Sequence, residues 1–387
     1  MAKVFEGHAH QMFYNNKIPV RESVTIFKRQ FKINEIVKVR FLALPCHGRP
    51  ERENLKGIGF DETERIDNTR AMYFKCAFSP NGYAFAGLEY DKVDLKDKKA
   101  TAQELLRQVK EYKRVGFDGM KMYEGHPNVR LLIGYPLDDE IFDLYYDFCE
   151  KEGFPIIMHL TNSPNMWDIN KISQNWINRG CYFDERFPSF DELQEELMRV
   201  LAKFPKLKFT LAHFGFLTFA PKERVERFFS YENTMLDVTP GGSNFFNITA
   251  DEEYWVPFIK KHIDKFTYGT DLYNYRYMDE KYFMHTTTNR TKLVRQFFEG
   301  TGEYEYQKKK YRGIGLEKEE LEKLYHDNLY NLLKEPNKVD YDYFINKCDE
   351  VINDFDPCHM ENYNIWCMKN DFTSLKEHGY IEYFKED

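Results

Sequence analysis

Six polar residues are placed where they can do chemistry together: His8, His10, Lys121, His159, His213 and Asp271. His8 and His10 stand two apart in the β-rich run Lys3–His10, so period-2 geometry turns both imidazoles to one side. His159 closes Pro-Ile-Ile-Met-His, His213 closes Phe-Thr-Leu-Ala-His, and Asp271 closes Tyr-Gly-Thr-Asp. Taken singly, each has an ordinary structural role: a hydrogen-bonded core histidine, or an aspartate that caps a helix or turn. Taken together, they require four strands to end by accident in an ionisable group. Three imidazoles and a carboxylate (His8, His10, His159 and Asp271) suit Zn²⁺ with one position open to water. Histidine and carboxylate accept Mn²⁺ and Fe²⁺ as well, so one divalent ion, Zn²⁺ first, is the expected cofactor. Such an ion lowers the pKa of a coordinated water to about 7. Asp271 can then take that water's proton and return it to a leaving group, while His213 polarises a carbonyl or stabilises an oxyanion.

Residues so far apart in sequence meet only if a fold gathers them. Eight runs read as strands: Lys3–His10, Val37–Leu44, Met72–Phe78, Gly119–Tyr123, Pro155–Leu160, Lys208–His213, Thr234–Val238 and Phe266–Asp271. Helical patterns lie between most of them, at Ala102–Val115, Glu140–Glu152, Phe190–Lys203 and Tyr254–Lys261, with a weaker one at Val20–Phe31. Alternation of this kind implies a parallel sheet. Eight units predict a closed (β/α)8 TIM barrel, whose strand C-termini converge on one mouth. An open doubly wound sheet would want a Gly-rich phosphate loop after its first strand, and Gly7-His8-Ala9-His10 stands there instead.

The barrel is expected over residues 1–333, with a long loop after strand 5 and a C-terminal extension over 334–387. The loop, Thr161–Pro188, carries Trp167, Trp176, Arg179 and Arg186, which are candidates for substrate contact. The extension is rich in Tyr, Phe and Ile, so it reads as ordered and partly helical, packed on the barrel or on a partner subunit.

These motifs resemble the amidohydrolase superfamily, in the branch that holds metal-dependent decarboxylases and lactone hydrolases. Its opening Asp-x-His-x-His is matched by Glu6-Gly7-His8-Ala9-His10, its fifth-strand His by His159, and its sixth-strand His by His213 in Leu211-Ala212-His213-Phe214-Gly215. Its Gly-Ser-Asp is matched by Gly269-Thr270-Asp271, and its late Asn/Leu helix by Tyr325–Leu333. The resemblance covers residues 3 to about 333. It departs at Glu6, at Tyr273 where the family often has Pro, and in the extension. It implies a metal-dependent hydrolase attacking an amide, ester or lactone carbonyl, or alternatively a non-oxidative decarboxylase of an aromatic or unsaturated carboxylic acid. It also implies two roles for Lys121. Some members carboxylate a fourth-strand Lys to bridge two metals; with one metal, Lys121 holds a substrate carboxylate. A non-catalytic barrel would be expected to lack a ligand, and none of the set is missing.

The composition narrows the partners. Lys and Arg number 55 against 63 Asp and Glu, a net charge of −8, which argues against nucleic acid. No run of about 18 apolar residues predicts a membrane span, and the opening residues show no stretch of signal-peptide length. Seven scattered Cys without a C-x-x-C pair predict reduced thiols in the cytoplasm. A small-molecule substrate and a homo-oligomer are the expected partners.

Overall fold

The computed structural model describes residues 3–13, 18–44, 66–90, 93–178, 180–241, 243–274, 280–352 and 360–384. His47, Arg179 and the segment Gly57-Ile58-Gly59 lie outside them. The chain begins β1 (Val4–Phe13), α1 (Val20–Ile33), β2 (Ile36–Leu42), α2 (Asp67–Ala77), β3 (Gly82–Ala86), α3 (Lys98–Val115) and β4 (Gly119–Met122). It continues through α4 (Pro127–Ile133), α5 (Asp143–Lys151), β5 (Ile156–Met158), α6 (Gln174–Asn178), α7 (Phe190–Lys203) and β6 (Phe209–Leu211). Next come α8 (Lys222–Ser230), β7 (Thr234–Asp237), α9 (Asn244–Ala250), α10 (Glu252–Lys261), β8 (Phe266–Thr267) and β9 (Leu272–Asn274). The last elements are α11 (Glu280–Glu299), the hairpin β10 (Glu303–Tyr306) and β11 (Lys309–Arg312), α12 (Lys318–Glu322), α13 (Asn328–Leu333), α14 (Tyr341–Val351) and α15 (Met360–His378).

The strands run parallel in the order β8-β7-β6-β5-β4-β3-β2-β1-β9. β8 and β9 are one barrel strand broken at residues 268–271: its first half pairs with β7 and its second half with β1, Ala9 opposite Leu272. A bond from Gly7 N–H to the Tyr268 carbonyl, 3.0 Å, bridges the break. The fold is therefore a (β/α)8 TIM barrel. Its interior is filled by Leu42, Phe85, Ile157 and Ala212, and Leu329 of α13 plugs it from below against Phe5 and Tyr83. Asn328 holds that plug by donating to the carbonyls of Ile263 (2.7 Å) and Phe266 (2.8 Å).

Local sequence explains most elements. α7 starts on a capping box, Ser189 with Glu192, and buries Phe190, Leu193, Leu197 and Leu201 on one stripe. α3 is capped by Asp97 and stops at Gly116, whose φ of 107° other residues avoid. One expectation fails. Met72–Ala77 is helix, inside α2, with Phe78 as its C-cap, and the third strand is Gly82–Ala86. Every residue from Asp67 to Cys76 is buried, because α14 and α15 of the extension cover the outer face of α2. A helix buried all round loses the 3.6-residue alternation, so its aromatics imitate a strand. Meanwhile β3, Gly-Tyr-Ala-Phe-Ala, is weak in strand formers. Gly82 is required by close approach, since a Cβ there would sit 2.3 Å from the Lys75 carbonyl oxygen. Gly82→Ala should destabilise the chain by about 1–3 kcal/mol, read from the urea midpoint; an unshifted midpoint would contradict this packing.

The extension packs on α1 and α2. Arg21 pairs with Asp371, which also accepts from the Tyr73 hydroxyl at 2.8 Å, and Phe372 meets Tyr73 edge-on. Ile365, Met368, Phe372 and Leu375 are buried there. At about 1.5–3 kcal/mol per side chain, their burial contributes on the order of 6–12 kcal/mol gross. No described helix is long and apolar enough to cross a membrane.

Candidate metal centre

A bulge in β1 sets the aim of the first two histidines. The register of β1 on β2 shifts between Glu6 and Ala9. Three bonds pin the bulge: Gly7 N–H to Tyr268, Arg40 Nε to the Gly7 carbonyl at 2.7 Å, and His8 N–H to Glu6 Oε1 at 2.9 Å. Glu6 also accepts from the Thr270 backbone (2.9 Å) and hydroxyl (2.6 Å). The carboxylate that departs from the family's Asp therefore ties β1 to the break in the eighth strand, next to Asp271. Burial pushes its pKa up to about 7.

His8 Nε2 and His10 Nε2 face each other at 3.2 Å, and Asp271 Oδ1 lies 3.6 and 3.7 Å from them. The three side chains offer ligand atoms that all lie within 4.8 Å of one another. The other ring nitrogens settle the tautomers. His10 Nδ1 is 2.8 Å from the Leu42 carbonyl, which can only accept, and His8 Nδ1 is 2.6 Å from Asp237 Oδ2. Both Nδ1 atoms thus carry the proton, and both Nε2 atoms point lone pairs into one gap. Burial lowers both pKa values, His10 to about 4, so no proton fills that gap at neutral pH. Facing lone pairs beside a carboxylate fit a divalent cation.

Asp271 sits in the strand break at φ 56°. Burial raises its pKa, but Arg290 and the imidazoles of His8, His213 and His10 outweigh burial and hold the carboxyl low. Arg290 donates to the Asp271 carbonyl and lies 3.3 Å from Oδ2.

His159 and His213 form the adjoining wall, with ring centroids 4.9 Å apart and His213 5.2 Å from His8. His159 Nε2 and His213 Nδ1 are buried without a hydrogen-bond partner among the described residues. His159 stands outside the three-residue ligand cluster. His213 begins a left-handed turn, with φ of 56°, 54°, 58° and 51° at residues 213–216. Its three non-glycine members cost roughly 1–2 kcal/mol each. Side chains hold the turn: Asp237 Oδ1 accepts from His213 N–H (2.7 Å), Asn244 donates to the His213 carbonyl (2.8 Å) and Gln194 to the Gly215 carbonyl (2.8 Å). Strain supported in this way is characteristic of functional sites.

Lys121 lies on β4, 1% exposed, and no carboxylate of the described residues is within ion-pair distance of it. Burial pulls its pKa down to about 8, against the opposing pull of Asp237 and Asp271. The long loop reaches the site by a chain of rings: Trp167 to Phe183 at 4.7 Å, Phe183 to His126 at 5.9 Å, and His126 to His159 at 5.2 Å. Within the loop, the Trp167 indole N–H donates to the Pro188 carbonyl at 3.1 Å. Trp176 is 38% exposed on α6, and Arg186 is exposed and paired with Asp184.

Asp237 is absent from the sequence-based set, although it ends the run Thr234–Val238 and the strand-end rule could have found it. His126 is half such a case: it follows β4 but serves as the cap of α4, its Nδ1 accepting from Asn128 N–H. Arg290, in the middle of α11, carried no signal.

The model of the amidohydrolase family matches residues 92–333. No curated protein matches the chain. Among solved structures, an uncharacterised TIM-barrel protein from Bordetella bronchiseptica is 14% identical at TM-score 0.51, over 86% of this chain and 98% of that one. A 4-oxalomesaconate hydratase from Rhodopseudomonas palustris is 15% identical at TM-score 0.49, over 85% and 95%. A dihydroxybenzoic acid decarboxylase from Polaromonas, with bound manganese and 2-nitroresorcinol, is 14% identical at TM-score 0.46, over 86% and 97%. At these identities the likeness is one of fold. With the family model covering most of the barrel, the chain belongs to the amidohydrolase family of metal-dependent enzymes.

Proposed function

We propose that the chain is a metal-dependent hydrolase of an amide, ester or lactone, with one Zn²⁺ held by His8, His10 and Asp271 and with His159 as the further ligand on the adjoining wall. The observation that carries this reading is the pair of Nε2 lone pairs facing each other beside a carboxylate held low. When bound, the ion supplies Lewis acidity and acidifies water. The protein's own groups do the rest. Asp271 is ionised at neutral pH, and Oδ2, the oxygen farther from the imidazoles, takes the proton of the attacking water. The same proton leaves with the nitrogen or oxygen whose bond to the carbonyl carbon breaks. His213 donates to the carbonyl oxygen as charge builds on it, from a rigid turn that needs no reorganisation. Asp237 fixes the tautomer of His8 and the backbone of His213 at once.

The unpaired Lys121 favours an anionic substrate, and it supports the second reading: decarboxylation of an aromatic or unsaturated acid on the same ligands. Assaying carboxylates for CO₂ release against amides, esters and lactones for acid release separates the two. Metal analysis tests both. If purified protein holds no ion and His8→Ala keeps full activity, the metal reading falls. The thiols of Cys76, Cys149, Cys348 and Cys367 are free, which supports a reducing, cytoplasmic setting.

Lys121 gives a pH prediction. Its folded pKa is lowered, so the ammonium is present below about pH 8 and lost above it. KM for a carboxylate substrate should be flat below that point and rise about tenfold per unit above it. Lys121→Met should raise KM and flatten the profile; a wild-type KM unchanged to pH 9.5 would remove Lys121 from the substrate's reach.

A further inference from the structure

We propose that Glu361 of α15, in the C-terminal extension, acting through Arg70 and Asp67, is a positioning residue for His10. The inference rests on the reading of His10 as a metal ligand. It goes beyond that reading because the extension lies outside the segment that the family model matches.

The connection is a series of buried polar contacts. Glu361 is 2% exposed in the first turn of α15, and its Oε1 accepts from Arg70 Nη2. Arg70 Nη1 lies 3.5 Å from Asp67 Oδ1. Asp67 stands at the start of α2, where the strand ends of β1 and β2 converge. Its Oδ2 accepts from Leu44 N–H at 2.7 Å, and its carbonyl accepts from the Gln11 side chain at 3.2 Å. Gln11 follows His10. Leu44 is two residues beyond Leu42, whose carbonyl holds His10 Nδ1 at 2.8 Å. Asp67 therefore grips both strands that orient His10, and Glu361 sets where Arg70 sits beside Asp67.

The physics makes this geometry exacting. A guanidinium shared by two buried carboxylates is held in place by both. Without the charge on Glu361, Arg70 closes on Asp67 and draws that carboxylate away from Leu44. The Leu42 carbonyl moves with the strand end, and the His10 ring loses the acceptor that fixes its tautomer. Outer partners of a metal-binding imidazole govern affinity in this way. The same helix has a second anchor, Asp371 with Arg21 and Tyr73, whose contacts reach α1 and the middle of α2 but not Asp67. That anchor provides an internal control.

The test uses the full chain and Zn²⁺ alone, with affinity read by competition against a chromophoric chelator. Glu361→Gln should weaken Zn²⁺ about tenfold. Arg70→Lys, which keeps a cation but not the fork that reaches both carboxylates, should do the same and carries the test should the first variant not fold. Asp371→Asn should lower the melting temperature and leave the affinity unchanged. Wild-type affinity in both Glu361→Gln and Arg70→Lys, or an equal loss in Asp371→Asn, overturns the inference. A wild-type chain that binds no Zn²⁺ overturns the metal reading itself and this inference with it, so the two failures are told apart.

Discussion

Asp271→Asn is expected to lower turnover by about 10²–10⁴-fold, or ~3–5 kcal/mol of barrier, in a protein that still folds. The change keeps the shape of the side chain but removes both the charge that faces His8 and His10 and the acceptor for the water's proton. Arg290 keeps its bond to the backbone carbonyl of residue 271, which does not depend on the side chain. The strand break should therefore survive, and far-ultraviolet circular dichroism should be unchanged. If Asp271 serves only to hold Arg290 and the break, the variant will lose thermal stability at near-normal turnover. That pattern would remove Asp271 from the chemistry. Saturating metal helps separate its two roles: recovery at high ion concentration marks a lost ligand, and a loss that persists marks the missing proton acceptor.

Asp237→Asn should weaken metal binding by about 10–100-fold. Asp237 is fully buried and accepts from three donors: His8 Nδ1–H, His213 N–H and the Thr239 N–H at 3.1 Å. An asparagine presents one acceptor and one donor in the same space. If its oxygen stays with the two backbone donors, its amide faces His8 Nδ1 and drives the proton to Nε2, where the ion needs a lone pair. If it turns over, the strained turn at His213 loses the bond that starts it. Either outcome damages the centre, the first through affinity and the second through turnover. Chelator competition reads the first, and kcat at saturating metal reads the second. Wild-type values in both would show that the contacts of Asp237 are incidental. Asp237→Ala is a poorer probe, because it leaves three buried donors unpaired and destabilises the barrel as well.

Both predictions concern residues that local sequence treats alike, as an aspartate closing a strand, yet only Asp271 stood out beforehand. The difference lies in what surrounds them. Gly-Thr-Asp breaks the apolar pattern and invites a turn, whereas Met-Leu-Asp-Val sits inside a run that reads as ordinary buried strand. The role of Asp237 is defined by His8 and His213, 229 and 24 residues away, and no local pattern carries that separation.

The same division runs through the fold. Seven of the eight strands, the helices α1, α3, α5, α7 and α10, and the convergence of His8, His10 and Asp271 were legible in the sequence, because each rests on local periodicity and on the rule that barrel strands end at one mouth. The tertiary structure decided the rest. It made α2 a helix where its aromatics read as strand, because distant helices of the extension bury its outer face. It split the eighth strand so that Asp271 could turn inward. It set His159 against His213 on the wall that adjoins His8, and it packed Trp167 against Phe183 of the same loop. Periodicity records which side of an element is apolar; it does not record what covers the other side or which partner a polar tip will meet. Those are settled by contacts between residues hundreds of positions apart, and they determine the tautomers, the strain and the charges on which the chemistry of this site depends.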